Sequence, residues 1–105
     1  MIHVVALITA KPGLRAELLQ RFLTVVPIVL AEDGCIEYRP VIDNDAGLDG
    51  DREALGRDSY IVIEKWASAA ALDAHVATDH MRKYAEETGS LIASRVLHVL
   101  RDAAS

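Results

Sequence analysis

The amino-acid sequence predicts an α+β fold in which one antiparallel sheet carries helices on one of its faces. Three observations support this prediction. The predicted elements follow the order β-α-β-β-α-β along the chain. The strands are short runs rich in Val, Ile and Leu. The length of 105 residues suits a single domain spanning residues 1–105. Right-handed connections then arrange these elements as a ferredoxin-like sandwich.

The first strand and the first helix are each followed by a turn signal. Residues 2–10 form an apolar run, and the Pro-Gly pair at residues 12–13 ends it. Apolar side chains spaced three and four apart then predict a helix over residues 14–33. Pro27 lies inside this pattern and predicts a kinked helix or two abutting helices, with Gly34 as the stop.

The middle of the chain predicts a strand and then a long connection. Residues 35–43 read as the second strand, and Pro40 within it favours an edge position or a bulge. Residues 44–58 are acidic, contain three glycines and carry little apolar content, so they predict a loop. Loops of that length are often functional in compact domains. A short helical turn near residues 51–55 is compatible with the pattern.

The second half of the chain predicts a strand followed by two helical pieces. The run SYIVIEKW at residues 59–66 is a strong strand pattern. Ser68 is placed to cap a helix over residues 69–77. Thr78 is placed to cap a further piece over residues 79–87. Both caps follow from the hydroxyl oxygen, which can accept a hydrogen bond from the first free backbone N–H groups of a helix.

Both faces of the predicted sheet are apolar. Gly89 ends the last helical piece, and residues 91–100 form the last strand. The first strand places Ile2, Val4, Ala6 and Ile8 on one side and Val5 and Leu7 on the other. A single layer of helices needs only one apolar face, so the second face is predicted to be buried as well. A second copy, packed sheet against sheet in a two-fold dimer, is the expected cover.

Composition narrows the classes of function. The net charge is −5 and the basic residues form no cluster, so a nucleic-acid partner is not expected. No apolar run reaches the roughly 18 residues of a membrane span, and no motif for nicotinamide, flavin or nucleotide binding is present. Cys35 is the single cysteine. Because it has no partner for an intrachain disulfide, the sequence predicts a cytoplasmic protein.

The residues with the most chemistry are concentrated between positions 64 and 84. The candidate site combines aromatic, titratable and polarizable side chains: Glu64, Trp66, His75, His80, Met81 and Tyr84, together with Tyr38 from the second strand. A core Trp, a satisfied core His and a core Tyr with its hydroxyl at the rim are the structural alternatives for these residues. The two histidines are five positions apart, and a metal pair on one helix face needs four. A metal site is therefore not expected.

Several segments together resemble the antibiotic biosynthesis monooxygenase family, and within it the bacterial quinol monooxygenases of the menadiol-oxidising kind. The segments are AKPG at residues 10–13, VPIVLAEDGCIEY at 26–38, the insertion at 43–58 and IVIEKWASAAALDAHVATDHMRKY at 61–84. The resemblance covers nearly the whole chain. The order and spacing of these segments are more specific than any one of them.

The resemblance implies a homodimeric α+β barrel, which agrees with the two apolar sheet faces, and leaves higher association open. It also implies oxidation of a quinol or polyphenolic substrate by O₂ without metal, flavin or haem. A deprotonated hydroquinone is rich in electrons, so the protein supplies a base, orientation and a dry site. In this scheme His75 or His80 is the base or orients the phenol. Trp66 is the wall for the substrate ring, and Tyr38 and Tyr84 are further pocket contacts.

This chain differs from two groups of relatives at residues that those relatives need, which narrows the activity that the resemblance implies. Relatives that tailor polyketides carry an Asn four residues before the strand Trp, where this chain has Val62. Relatives that degrade haem carry a Trp at the position of His75 and a haem-ligating His near Ala85. Two alternatives to a quinol monooxygenase stay open: a non-catalytic binding or stress-response module on the same dimeric barrel, and an isomerase or other small-molecule enzyme.

Overall fold

A computed structural model describes residues 1–44 and 50–104. These residues form four strands and three helices, and a single 3-10 turn precedes the last strand. The elements are β1 (Ile2–Ala10), α1 (Arg15–Leu30), β2 (Cys35–Val41), β3 (Ser59–Trp66), α2 (Ala69–Val76), α3 (Asp79–Thr88), the turn Gly89–Leu91 and β4 (Ile92–Arg101). No helix within the described ranges is long and apolar enough to cross a membrane.

The strands form one antiparallel sheet in the order β2-β3-β1-β4. This order and the β-α-β-β-α-β sequence of elements confirm the predicted ferredoxin-like α+β fold. Strand β2 lies at the sheet edge, as Pro40 predicted, because an edge strand tolerates the missing N–H donor. The pairing of β2 with β3 also shifts register between Cys35 and Glu37.

The two predicted N-caps of the second helical segment are confirmed. The Ser68 hydroxyl accepts a hydrogen bond from the Ala71 N–H at 3.1 Å. The Thr78 hydroxyl accepts one from the Met81 N–H at 3.3 Å. Thr78 also donates its own hydroxyl proton to the His75 carbonyl at 2.8 Å, so a single side chain joins the end of α2 to the start of α3.

Helix α1 is one continuous helix that includes Pro27, so of the two predicted alternatives the single helix is confirmed and the two abutting helices are wrong. It also ends at Leu30 and not at residue 33, because the chain turns at residues 31–34 to enter β2. The helical turn suggested for residues 51–55 does not form. The remainder of that predicted loop, residues 45–49, lies outside the described residues.

The hydrophobic core lies between the sheet and the helices. Alternate residues of β1 and β3 point into it, as the period of two in a strand requires. Helix α1 covers them with a stripe of residues three and four apart. The principal members of this core are Val4, Ala6, Ile8, Leu18, Phe22, Val29, Tyr38, Tyr60, Val62 and Trp66.

The opposite face of the sheet is open, and it carries an apolar patch beside the polar side chains of His3, Lys65 and His98. Strand register places six apolar side chains there: Val5, Leu7, Ile61, Ile63, Val96 and Leu100. Val96 and Leu100 are 47% and 46% exposed. Within residues 1–44 and 50–104, the helices pack on the other face of the sheet. The two-faced pattern predicted from the sequence is therefore present, and one of the two faces has no cover within a single described chain.

Gly34 fixes how closely α2 approaches the turn after α1. Its φ is +82°, a conformation that side chains with a Cβ rarely adopt. A Cβ built at this position would lie 2.6 Å from the Cβ of Ala71. The Gly34 carbonyl also accepts a hydrogen bond from the Ala67 N–H at 2.8 Å. The absence of a side chain at Gly34 therefore sets the spacing between the α1–β2 turn and α2.

We expect Gly34→Ala to lower the free energy of unfolding by about 2–5 kcal/mol. This sum combines about 1–2 kcal/mol for the left-handed conformation with about 1–3 kcal/mol for overpacking against Ala71. Gly13→Ala is the matched control, since Gly13 has a φ of +79° but no atom within 4 Å of its built Cβ. If urea denaturation shows that both variants lose the same free energy of unfolding, the contact with Ala71 does not contribute to the cost of Gly34→Ala.

Candidate active site

The Glu32 carboxylate binds two histidines from two different helices. Its Oε2 lies 2.9 Å from His75 Nδ1 on α2 and 2.8 Å from His80 Nε2 on α3. Its Oε1 lies 3.2 Å from the same His75 nitrogen. The Glu32 side chain is only 13% exposed, which weakens competition from water. Glu32 lies in the turn that follows α1, so one carboxylate joins all three helices.

The carboxylate fixes the orientation and the tautomer of both imidazoles. An ionised carboxylate can only accept hydrogen bonds, so the ring nitrogen facing Glu32 must carry the proton in each histidine. A neutral His75 then has its lone pair on Nε2, and a neutral His80 has its lone pair on Nδ1. Each imidazole is thereby held in one orientation, with its second ring nitrogen directed away from Glu32.

Trp66, His75 and Glu64 form a buried polar contact beside this bridge. The Trp66 side chain is fully buried, and its ring centre lies 4.6 Å from that of His75. The Trp66 indole N–H donates to Glu64 Oε1 at 2.9 Å. Burial raises the pKa of the Glu64 carboxyl, and the hydrogen bond from Trp66 opposes that effect. Trp66 thus positions His75 on one side and holds Glu64 on the other.

An aromatic cluster extends from this contact through the core. The Phe22 ring stacks on Tyr38 with centres 5.3 Å apart, and it meets the edges of Tyr60 and Tyr84 at 5.8 and 6.0 Å. Tyr38 in turn meets His75 at 5.5 Å. The phenol groups of Tyr60 and Tyr84 are near enough to influence each other's pKa. Burial raises the pKa of all three tyrosines, so they act as neutral donors at physiological pH.

A groove between α1 and α3 leads from solvent to this region. Its volume is about 510 Å³, which is within the usual range for small-molecule sites. His80 and Tyr84 contribute to its wall, with Val25 from α1 opposite them. His80 is 28% exposed, whereas His75 is 4% exposed. A molecule in the groove can therefore reach His80 directly, and His75 only through the interior.

The structure brings most of the predicted site residues together. His75, His80, Trp66, Glu64 and Tyr38 form a connected set through Glu32 and the ring contacts described above. Met81 and Tyr84 are half-buried and pack against the same core. Trp66 is covered by His75 in this structure, so its role as a wall for a substrate ring stays a prediction.

Glu32 itself was not predicted as a site residue. It lies more than 40 positions from the histidines in the sequence, within an acidic pair that resembles an ordinary solvated helix end. The available signal was its place directly before the Gly34 turn, which directs the chain back towards the sheet. No group of three or more His, Cys, Asp or Glu residues in the described part of the chain is arranged to hold a metal ion.

Comparison with known proteins identifies the family of this chain. The sequence pattern of the antibiotic biosynthesis monooxygenases matches residues 1–87. The chain belongs to the antibiotic biosynthesis monooxygenase family. It is 36% identical over 103 residues to the probable quinol monooxygenase YgiN of Escherichia coli K12. That match covers 96% of this chain and 97% of YgiN.

Solved structures share the fold of this family member over nearly its whole length. PA3566 from Pseudomonas aeruginosa superposes with a TM-score of 0.80 at 25% identity, covering 96% of this chain and 92% of that one. Rv0793 from Mycobacterium tuberculosis gives a TM-score of 0.77 at 25% identity, covering 99% and 98%. The resemblance inferred from the sequence segments is therefore confirmed, both for the family and for the ferredoxin-like fold.

Loss of the Glu32 carboxylate should destabilise this family member more than loss of an exposed carboxylate does. We expect Glu32→Ala to lower the free energy of unfolding by about 1.5–3 kcal/mol, the range for hydrogen bonds to charged groups. The control is Glu86→Ala, because Glu86 forms an exposed pair with Arg82 at 3.0 Å. That pair contributes at most about 0.5 kcal/mol. Similar losses for both variants in urea denaturation would contradict a structural role for the bridge.

Proposed function

We propose that this protein is a cofactor-independent monooxygenase that oxidises a quinol or a related polyphenolic substrate with O₂. The observation that carries the proposal is the Glu32 bridge, which orients two imidazoles beside a buried aromatic cluster. The similarity to YgiN along nearly the full chain supports quinols as the substrate class. The single cysteine, Cys35, supports a reducing compartment such as the cytoplasm.

The proposed reaction takes its electrons from the substrate. Loss of one hydroxyl proton converts the quinol to an electron-rich anion, which passes one electron to O₂ and leaves a semiquinone radical and superoxide. Their recombination forms a carbon–oxygen bond at a free ring position, and loss of water from the peroxide gives a hydroxyquinone. The balance is one quinol and one O₂ to one hydroxyquinone and one water. The protein has to remove the proton, hold the ring and exclude bulk water.

His80 is the better candidate for the base of the two histidines. It contributes to the wall of the groove, and its Nε2 is already held by Glu32, so Nδ1 is the nitrogen that remains for a substrate hydroxyl. His75 is buried against Trp66 and shares the same carboxylate. In this proposal Glu32 stabilises the imidazolium that forms on His80, and His75 positions Glu32. Tyr84 supplies a neutral hydroxyl that orients the substrate.

We expect His80→Ala to lower kcat by about 10²–10⁴-fold, the usual contribution of a general base. The measurement mixes anaerobically reduced menadiol with metal-free protein and follows O₂ uptake and the hydroxylated product. Added imidazole should restore part of the lost rate, because it can occupy the space left by the side chain. His75→Ala should reduce kcat by a smaller factor and should not respond to imidazole, since its site is closed to solvent.

The outcomes of this assay separate the proposed function from its alternatives. A wild-type rate equal to the autoxidation rate in buffer would contradict the monooxygenase proposal for that substrate and favour a non-catalytic binding module. If both His75→Ala and His80→Ala keep the wild-type turnover and pH profile, neither histidine is the base and both only contribute to packing. Metal analysis of the active protein by mass spectrometry checks cofactor independence, and stoichiometric metal would contradict it.

We also propose that two copies of the chain form a homodimer through the open sheet face. Six apolar side chains lie on that face, and two of them are nearly half exposed. Exposed apolar patches of this kind are typical of protein interfaces. A two-fold axis would place the same face of each sheet against the other. The helices and the groove lie on the far side of each sheet and would stay accessible.

Leu7→Lys should weaken this dimer by about 100-fold or more, because it introduces an unpaired charge at the centre of a buried apolar contact. Val76→Lys is the control, since Val76 is 63% exposed on α2, away from the open face. Sedimentation over a range of concentrations should then report a dimer for wild type and Val76→Lys and a monomer for Leu7→Lys. A monomeric wild type at all concentrations would refute the dimer.

A further inference from the structure

Lys83 lines the groove between α1 and α3 together with His80 and Tyr84. Lys83 and Tyr84 follow His80 by three and four residues on α3, so the three side chains lie on one face of that helix. Residues three apart on a helix have their Cβ atoms about 5–6 Å from each other. The groove therefore carries an ammonium group one helical turn from the imidazole that is proposed as the base.

The ammonium group of Lys83 forms no ion pair with any residue that the structure describes. Its side chain is exposed at the groove wall. The preceding residue, Arg82, pairs with Glu86 at 3.0 Å, and Arg21 on the opposite wall lies 3.8 Å from Glu17. Among the described residues of the groove, Lys83 is thus the cation that no neighbouring carboxylate already binds.

Two groove residues of α1, Thr24 and Val25, present no free donor to a ligand. The Thr24 hydroxyl already donates to a backbone carbonyl of α1 at 2.6 Å, and Val25 is apolar and buried. Glu87 also lines the groove, but it lies seven residues after His80, about 10 Å further along the helix axis. The stretch between His80 and Lys83 therefore combines an apolar wall, a proton acceptor and one positive charge.

We propose that Lys83 binds a carboxylate on the aromatic ring of the substrate, so that the preferred substrate is a quinol with an acidic substituent. This inference rests on the proposed function and specifies the substrate class of the same site. The hydroxyl that loses its proton faces Nδ1 of His80, and the carboxylate lies one helical turn away at the ammonium group. A hydroxyl and a carboxylate in a meta arrangement on one ring have a comparable separation. Hydrogen bonds between an ammonium group and a carboxylate are strong because both partners are charged.

The direct test compares the binding of two phenols that differ in one carboxylate, 4-hydroxy-2-naphthoate and 1-naphthol. Neither is a quinol, so titration calorimetry measures binding without turnover. We expect the wild type to bind the naphthoate about 10-fold more tightly, at the lower end of the range for hydrogen bonds to charged groups. Lys83→Met and Lys83→Gln should each remove this preference and leave the binding of 1-naphthol unchanged. Lys83→Arg should keep the preference, because it retains the charge.

Lys11→Met is the matched control for the loss of a lysine. Lys11 is exposed in the turn after β1 and lies outside the groove, so its removal should leave the preference at the wild-type value. Equal wild-type affinity for the two phenols, no binding of the naphthoate at millimolar concentration, or a preference that survives in Lys83→Met would each overturn the proposal. An equal loss of affinity for both phenols in Lys83→Met would overturn it as well, because the lysine would then act only through packing.

Ionic strength gives a second readout that a packing role would not change. The Debye length falls from about 30 Å at 0.01 M salt to about 3 Å at 1 M. Because the Lys83 ammonium group is exposed to solvent, the preference for the naphthoate should decrease over this range. The affinity for the uncharged 1-naphthol should not decrease with it. A preference that is independent of salt would contradict recognition of the carboxylate by charge.

The kinetic counterpart compares 1,4-dihydroxy-2-naphthoate with 1,4-dihydroxynaphthalene, each corrected for its autoxidation rate in buffer. Lys83→Met should lower kcat/KM for the acid about 10-fold and leave that for the neutral quinol unchanged. If the wild type prefers the naphthoate in the binding test but consumes no O₂ with either quinol, the inference about Lys83 stands and the monooxygenase proposal fails. If Lys83→Met oxidises both quinols at the wild-type rate, the monooxygenase proposal stands and the inference about Lys83 fails.

Discussion

The fold of the candidate site depends on one shared carboxylate. Glu32 accepts hydrogen bonds from two imidazoles within 3.2 Å, and its own backbone lies in the turn that leads from α1 to β2. Because it is mostly shielded from water, the carboxylate cannot exchange these partners for solvent without cost. The relative positions of α1, α2 and α3 and the chemistry of the histidines are therefore determined together.

This bridge in turn requires a close backbone approach. Gly34 allows Ala71 to lie where a Cβ would otherwise be, and Ala71 is one turn before His75 on the same helix. Thr78 then fixes the short connection between α2 and α3 through the His75 carbonyl. Two small local features, a glycine with positive φ and a threonine cap, thus bring His75 and His80 to one carboxylate although the two residues are not on one helix face.

The sequence predicted local structure and the sheet well, because both depend on short-range patterns. Alternation in β1 identified both sheet faces, and Ser68 and Thr78 marked two helix starts correctly. Prediction was weaker where a tertiary contact decides the outcome. Continuity of α1 through Pro27 depends on packing of the whole helix against the sheet, which outweighs one missing hydrogen bond. Glu32 was missed because its partners are distant in sequence.

The residues of strand β4 alternate between the helix-covered face and the open face of the sheet. Its odd-numbered residues, including Arg95, share the helix-covered face, and its even-numbered residues, including Val96 and Leu100, lie on the open face. A change at one face therefore need not disturb the other, because successive side chains point in opposite directions. The proposed dimer face and the helix-covered face are therefore formed by alternate residues of one strand. A substitution at Val96 should then change the oligomeric state without changing the packing under the helices.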